Sequence, residues 1–237
     1  MGVQSSFGFT LGRMEKGRLN KITDVPGVRV GHVTRHEGGI NTGVTAILPH
    51  TGDMFHDKCP AASHVINGFG KSIGLVQVNE LGTIETPLLL TNTLSVGTAA
   101  TALVKYMLER NADIGCDTGT VNPMVFECND GHLNDIRGLH VTEQNALDAL
   151  ANAADDFEEG AVGAGSGMSC YSLKGGIGSA SRVFELYGNK YTVGALLLTN
   201  FGTLRDLTIG GERVGERLYQ KKEAEKAARK LPELTDE

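Results

Sequence analysis

The sequence predicts a single α/β domain in which β-sheets are packed between helices. Three observations carry that expectation. "PLLLT" at 87–91 and "YTVGALLLTN" at 191–200 are continuous apolar runs, the pattern of strands covered on both faces. Residues 98–110 and 142–154 instead place apolar side chains at three-to-four spacing, with Ala102, Leu103 and Met107 in the first and Ala146, Leu147, Leu150 and Ala154 in the second. No internal repeat or disordered linker divides the 237 residues.

Taken in order, residues 20–50 read as short β segments separated by Pro-Gly and Gly-Gly turns, with Val28 and Val30 alternating and a buried strand from Val44 to Leu48. Thr142 is a natural N-cap for the second helix, because its hydroxyl can accept a free N–H of the first turn. "FELYGNKYTVGALLL" predicts a hairpin turning at Gly188 and Asn189. The segment from 212 to 237, rich in Glu, Lys and Ala, predicts an exposed helix with i to i+4 charge pairs that stops before Pro232 and runs on into a polar tail.

Composition excludes several classes of partner. The net charge is −6 and no long basic run offsets it, which argues against nucleic acid and against an anionic membrane surface. Cys59, Cys116, Cys128 and Cys170 form no C-x-x-C pair, so buried or free thiols in a reducing compartment are expected rather than a disulfide or zinc framework. The N-terminal residues lack the apolar core of a secretory signal, and no 18-residue apolar run occurs, so the expected location is cytoplasmic. Gly2 and Ser6 satisfy a myristoylation pattern, but six residues specify little.

The stretch "GAVGAGSGMSCYSLKGGIGSASR", residues 160–182, needs explaining, since glycine is costly to order and persists where backbone must approach closely or take positive φ. It fails as a dinucleotide fingerprint: Cys170 and Ser181 stand where a third glycine is required. "VINGFGKS" fails as a phosphate loop because Val65 holds the first glycine position. Gly165, Ser166 and Gly167 lack the strand–elbow–helix setting of a hydrolase serine. The seven histidines include no H-E-x-x-H; the i, i+4 pair His32 and His36 lies in a turn-rich β region with only Glu37 as a nearby acid, so scattered core or surface imidazoles are expected.

"FECNDGHLND", residues 126–135, is dense in polar groups directly after an apolar segment. Glu127 would sit at a strand end, where a carboxylate can face a cleft and hold an amine, or simply flank a turn at Asn129, Asp130 and Gly131. Asn200, ending "GALLLTN", has the same placement: its amide can donate to a developing oxyanion, or serve only the turn that follows.

Six segments in order, "ITDVPGVRVGHVT", "GVTAILPH", "TPLLLTNTLSVG", "ECNDGHLNDIRG", "GAGSGMSCYSLKGGIGSASR" and "GALLLTNFG", resemble the self-processing β-peptidyl aminopeptidases, also described as L-aminopeptidase/D-esterase-amidases. The resemblance spans about residues 22–202. It implies a four-layer α/β/β/α sandwich and a precursor that cleaves itself before a Ser, sometimes Thr, which becomes the N-terminal nucleophile of a separate β-subunit. This chain would be the α-subunit of an αβ unit within a homo-oligomer, with the scissile bond after Glu237.

By the same resemblance Asn200 is the oxyanion-hole asparagine, and Glu127 binds the free α- or β-amino group of small peptide, amide or ester substrates. Some members carry Tyr where this chain has Asn129, a substrate-side position. Catalysis through an acyl-enzyme needs neither metal nor organic cofactor. The glycine-rich stretch would line the site with N–H groups and pass close to the neighbouring layer, and Lys174 would be a solvated tip outside the site. The related self-cleaving ornithine acetyltransferases and a non-catalytic binding subunit are the alternatives; the first residue of the β-subunit and a hydrolase assay separate them.

Overall fold

A computed structural model describes residues 12–230; the Gly2 and Ser6 pattern, Pro232 and the expected processing point after Glu237 lie outside the described residues. In chain order these form β1 (Arg29–Glu37), β2 (Ile40–Leu48), β3 (Cys59–Pro60), α1 (Leu75–Leu81), β4 (Thr83–Ile84), β5 (Leu88–Asn92), α2 (Val96–Leu108), β6 (Met124–Cys128), α3 (Glu143–Ala151), β7 (Ser169–Cys170), β8 (Leu173–Lys174), β9 (Ile177–Leu186), β10 (Asn189–Leu198) and α4 (Val214–Lys230).

The central sheet runs β1-β2-β5-β6, antiparallel except for the last pair, which is parallel. Gly38 and Gly39, both at positive φ, make the tight turn from β1 to β2. A second antiparallel ribbon pairs β9 with β10. It turns at Tyr187 and Gly188, with φ of 51° and 77°, one residue before the predicted position. The register Leu186 to Asn189 leaves a two-residue loop, and such loops need positive φ at both residues.

Three layers follow from the side chains. On one face of the central sheet Val44, Ala46, Leu89 and Val125 meet Ala99, Leu103, Ala146 and Leu150 of α2 and α3. The contact is close: a Cβ on Gly31 would lie 2.2 Å from the carbonyl oxygen of Ala149. On the other face Val30 and Leu90 pack with Ile177, Leu196 and Leu198 of the ribbon. The predicted coverage of 191–200 therefore holds on one face only. Strand alternation turns Leu196 and Leu198 inward, while Val193 and Leu197 point out with more than half of their surface exposed.

The glycine-rich stretch sits between the two sheets. Its single turn Gly163–Gly165 lies across β2, where the N–H groups of Gly163 and Ala164 donate to the hydroxyls of Thr34 and Thr45 at 2.8 and 3.1 Å. Gly163 has φ of 52°, and a Cβ there would fall 2.4 Å from the Thr45 hydroxyl. A Cβ on Gly167 would fall 2.1 Å from the Asn41 carbonyl. Lys174 is exposed and lies outside the cleft described below, but its ammonium is held: it donates to the carbonyls of Gly165, Met168 and Gly175, at 3.1, 3.2 and 2.7 Å, and partial burial lowers its pKa.

Helix α2 starts two residues before the predicted 98, because the Asn92 side chain accepts the N–H groups of Leu94 and Ser95 and sets the first turn. Thr142 caps α3, accepting from the N–H of Asn145 at 3.3 Å. That helix ends at Ala151; Ala154 instead exchanges two 3.1 Å backbone bonds with Val30. Helix α1 was not expected from the pattern: exposed Val76 and Leu81 blur its periodicity, and Gly74 and Gly82 bound it at positive φ. Helix α4 is exposed as predicted, with a Lys226–Glu223 pair at 2.7 Å and a Gln220–Glu216 bond at 3.2 Å.

Candidate active site

The parallel pair β5 and β6 ends at one edge of the sheet, and ribbon strand β10 ends beside it. Glu127, next to last in β6, is half-buried there. One carboxylate oxygen accepts the main-chain N–H of Lys71 at 3.1 Å, and the other accepts the hydroxyl of Thr93. Asn129 opens the turn that follows, its side chain accepting the N–H of Gly131 at 2.9 Å. Asn200, two residues beyond β10, donates from its amide nitrogen to the Asn129 carbonyl at 3.2 Å. All three residues singled out in the sequence therefore meet, and they line one cleft of about 330 Å³.

The loop before α1 forms the opposite wall with Asn67, Phe69, Gly70 and Lys71. In the sequence this segment stands out only as a failed phosphate loop. Its contribution is instead the Lys71 N–H that holds Glu127, while the Lys71 ammonium lies over the Phe69 ring, 3.3 Å from its centre. Thr93 was also missed; its place directly after the apolar run ending at Asn92 is the only signal that marks it. The glycine-rich stretch does not line this cleft, and its N–H groups at 163 and 164 are spent on Thr34 and Thr45. It touches the site through Tyr171, whose N–H donates to the Phe201 carbonyl at 2.8 Å and whose ring meets Phe201 edge-on.

Cys128 also lines the cleft, and its environment bears on any nucleophilic role. Burial, with the nearby Glu127 carboxylate and Cys170, pushes its pKa up to about 11, and its thiol donates to the Leu198 carbonyl at 3.4 Å. A group held as the neutral thiol is a poor nucleophile. The four cysteines are all free. Beneath the turn, burial pushes the Asp130 carboxyl above its ordinary range, against hydrogen bonds from Thr42 and Asn134 that favour ionisation.

His32, one of the candidate metal ligands, is engaged elsewhere, bonded to the Thr45 hydroxyl at 2.9 Å and the Glu158 carbonyl at 3.1 Å. Among the described residues no group of three or more His, Cys, Asp or Glu side chains is arranged to hold a metal ion. No helix among them is long and apolar enough to cross a membrane.

Comparison with known proteins gives this geometry a context. Peptidase family S58 matches residues 20–232. A β-peptidyl aminopeptidase, BapA, of Sphingosinicella microcystinivorans is 41% identical over 215 residues, which are 86% of this chain and 53% of the relative. The crystal structure of the PH0078 protein from Pyrococcus horikoshii OT3 superposes with a TM-score of 0.89 at 56% identity, covering 91% of this chain and 64% of the other. The L-aminopeptidase D-Ala-esterase/amidase of Ochrobactrum anthropi, described as a prototype serine aminopeptidase with a variant Ntn hydrolase fold, superposes at 0.81 with 38% identity, covering 88% and 60%. The chain thus spans about half the length of the curated relatives it matches.

Proposed function

Because the chain belongs to peptidase family S58, we propose that it is the α-subunit of a self-processing aminopeptidase, acting on the amides, esters or short peptides of α- or β-amino acids. The nucleophile is the N-terminal Ser of a β-subunit released from the same precursor. The observation that carries this reading is the meeting of Glu127 and Asn200 across the Asn129 carbonyl, an anion and an amide donor facing one cleft from two different sheets.

Glu127 holds the substrate's ammonium group. Its carboxylate keeps a fixed direction because Lys71 and Thr93 each bind one oxygen. The serine Oγ adds to the carbonyl carbon, its proton passing to the β-subunit's own α-amine or to an adjacent Ser/Glu pair. One N–H of Asn200 is committed to Asn129; the other donates to the developing oxyanion. The C–N bond breaks as the proton reaches the leaving amine, and water then hydrolyses the ester. Asn129 contributes through its main chain, which sets the direction of Asn200, while its side chain closes the turn.

The outer face of the β9–β10 ribbon supports a partner subunit. Tyr191, Val193 and Leu197 leave an apolar stripe there, suited to further chain completing this layer and placing a fourth, helical one over it. We assign the αβ unit to a cytoplasmic homo-oligomer, in keeping with the acidic net charge and the free thiols.

The test combines intact mass, N-terminal sequencing and kinetics on the product of the full-length gene. Two fragments are expected, the second beginning with Ser or Thr. Asn200→Ala should lower kcat by about 10²–10³-fold, the usual loss on removing one oxyanion donor. A single folded chain without hydrolase activity would favour a binding subunit, and a change in kcat under about threefold would remove Asn200 from the oxyanion site.

A further inference from the structure

Directly beneath the cleft runs a buried polar chain that the proposed chemistry does not use. Asn92, Thr42, Asp130 and Asn134 are all at least nine-tenths buried. The Asn92 amide nitrogen donates to the Thr42 hydroxyl oxygen at 2.8 Å, and that hydroxyl donates to one Asp130 oxygen at 2.6 Å. The Asn134 amide nitrogen donates to the other Asp130 oxygen at 3.0 Å. No Lys, Arg or His among the described residues forms an ion pair with Asp130. A carboxylate buried without a cation is costly.

The two amides of this chain are oriented from outside by main-chain donors. The N–H groups of Leu94 and Ser95 bind the Asn92 oxygen, so its nitrogen must face Thr42. Thr42 therefore accepts on its oxygen and has its single hydrogen left for Asp130. At the far end the N–H of Asn41 binds the Asn134 oxygen, so the Asn134 nitrogen must also face Asp130. Position 130 thus faces the Thr42 hydroxyl on one side and the Asn134 amide on the other, and a carboxylate offers each its own oxygen, where an amide has a single oxygen to offer. The main chain of Asp130 is pinned as well, its carbonyl accepting the N–H groups of Leu133 and Asn134 at 3.0 Å each.

Asp130 directly follows Asn129, whose carbonyl receives the Asn200 amide. We propose that Asp130, held by Thr42, is a positioning residue: it locks the turn after β6 so that the Asn129 carbonyl aims the amide of Asn200. This rests on the oxyanion role given to Asn200 above. The geometry makes the buried acid a support for the far sheet's catalytic amide, delivered through one peptide unit. Asn92, at the other end, sets the turn that carries Thr93 to Glu127, so the two anchor points of the cleft share one rigid base.

The test is a double-mutant cycle on the full-length processed protein, with rates normalised to the cleaved fraction and an aminoacyl anilide as substrate. Asp130→Asn and Thr42→Val should each lower kcat by about 5- to 50-fold, with KM for the free-amine substrate unchanged, and Thr42→Ser should retain the wild-type rate. In an Asn200→Ala background the same changes should cost less than about twofold, because the group they aim is gone. Losses that multiply with that of Asn200→Ala, or that fall on KM, would overturn the proposal while leaving the role of Asn200 intact. A silent Asn200→Ala would overturn both. If Asp130→Asn does not fold, the contrast between Thr42→Val and Thr42→Ser decides the matter alone.

Discussion

Replacing Glu127 by Gln isolates the charge that the proposed mechanism needs while sparing the local fold. In the structure its two oxygens are held by the Lys71 N–H and the Thr93 hydroxyl. A glutamine can keep its oxygen on Lys71 and donate its nitrogen to Thr93, whose hydroxyl turns to accept. What is lost is the ionic half of the contact with a substrate ammonium. Hydrogen bonds to charged groups contribute about 1.5–3 kcal/mol, which corresponds to roughly 10- to 150-fold in KM. The assay compares an aminoacyl amide with the analogue in which the amine is replaced by hydrogen, measured on the full-length protein. The wild type should prefer the amine, and Glu127→Gln should abolish that preference by raising KM for the amine alone. Equal losses on both substrates would refute the amine-holding role.

Two further outcomes concern the frame that carries the site. Gly163→Ala places a Cβ against the Thr45 hydroxyl in a left-handed backbone and should destabilise the protein by about 2–5 kcal/mol in denaturant unfolding; a loss below about 1 kcal/mol would mean that the layers are not in close contact. Burial raises the pKa of Glu85, but Lys58 at 2.8 Å and the Asn122 N–H at 2.8 Å outweigh it, leaving the carboxyl below its ordinary range. Its folded pKa therefore lies under the unfolded value of about 4.3, so its stabilisation is complete above that pH and is lost as pH falls through the folded pKa. Glu85→Gln should flatten the acid limb of the thermal stability curve, and an unchanged limb would show that Glu85 is not the group responsible.

The central strands and the two core helices were legible because their burial writes itself as apolar runs and three-to-four spacing. Leu88 to Leu90 and Leu103 show how direct that signal is. The ribbon was legible as a hairpin, but its one bare face was not, since alternating Val193, Leu196, Leu197 and Leu198 read as a continuous run. Helix α1 was hidden because Val76 and Leu81 face outward. In the site, Glu127 and Asn200 stood out as polar residues closing apolar strands. Thr93 and the Lys71 N–H did not, because a hydroxyl and a peptide group acquire a role only when the fold brings them across 34 and 56 residues of chain. The buried Asp130 was read as part of an ordinary turn, and nothing in "ECNDGH" tells a solvated aspartate from one sealed beneath it.

Gly163 meets the Thr45 hydroxyl and Gly167 the Asn41 carbonyl so closely that neither position has room for a side chain. Glu127 stands on one of the two sheets so joined and Asn200 leaves the other. On the roles proposed here, the span from a substrate's amine to its scissile carbonyl is gauged by how closely the glycine-rich stretch seats on β2 and by the Val30, Leu90, Ile177, Leu196 and Leu198 side chains packed between the sheets. A Cβ at either glycine, or a larger side chain in that layer, would push the two anchors apart. Adaptation to residues with one more backbone carbon that leaves the distance between the anchors as it is falls to the cleft's rim, which the loop bearing Asn67 and Phe69 forms.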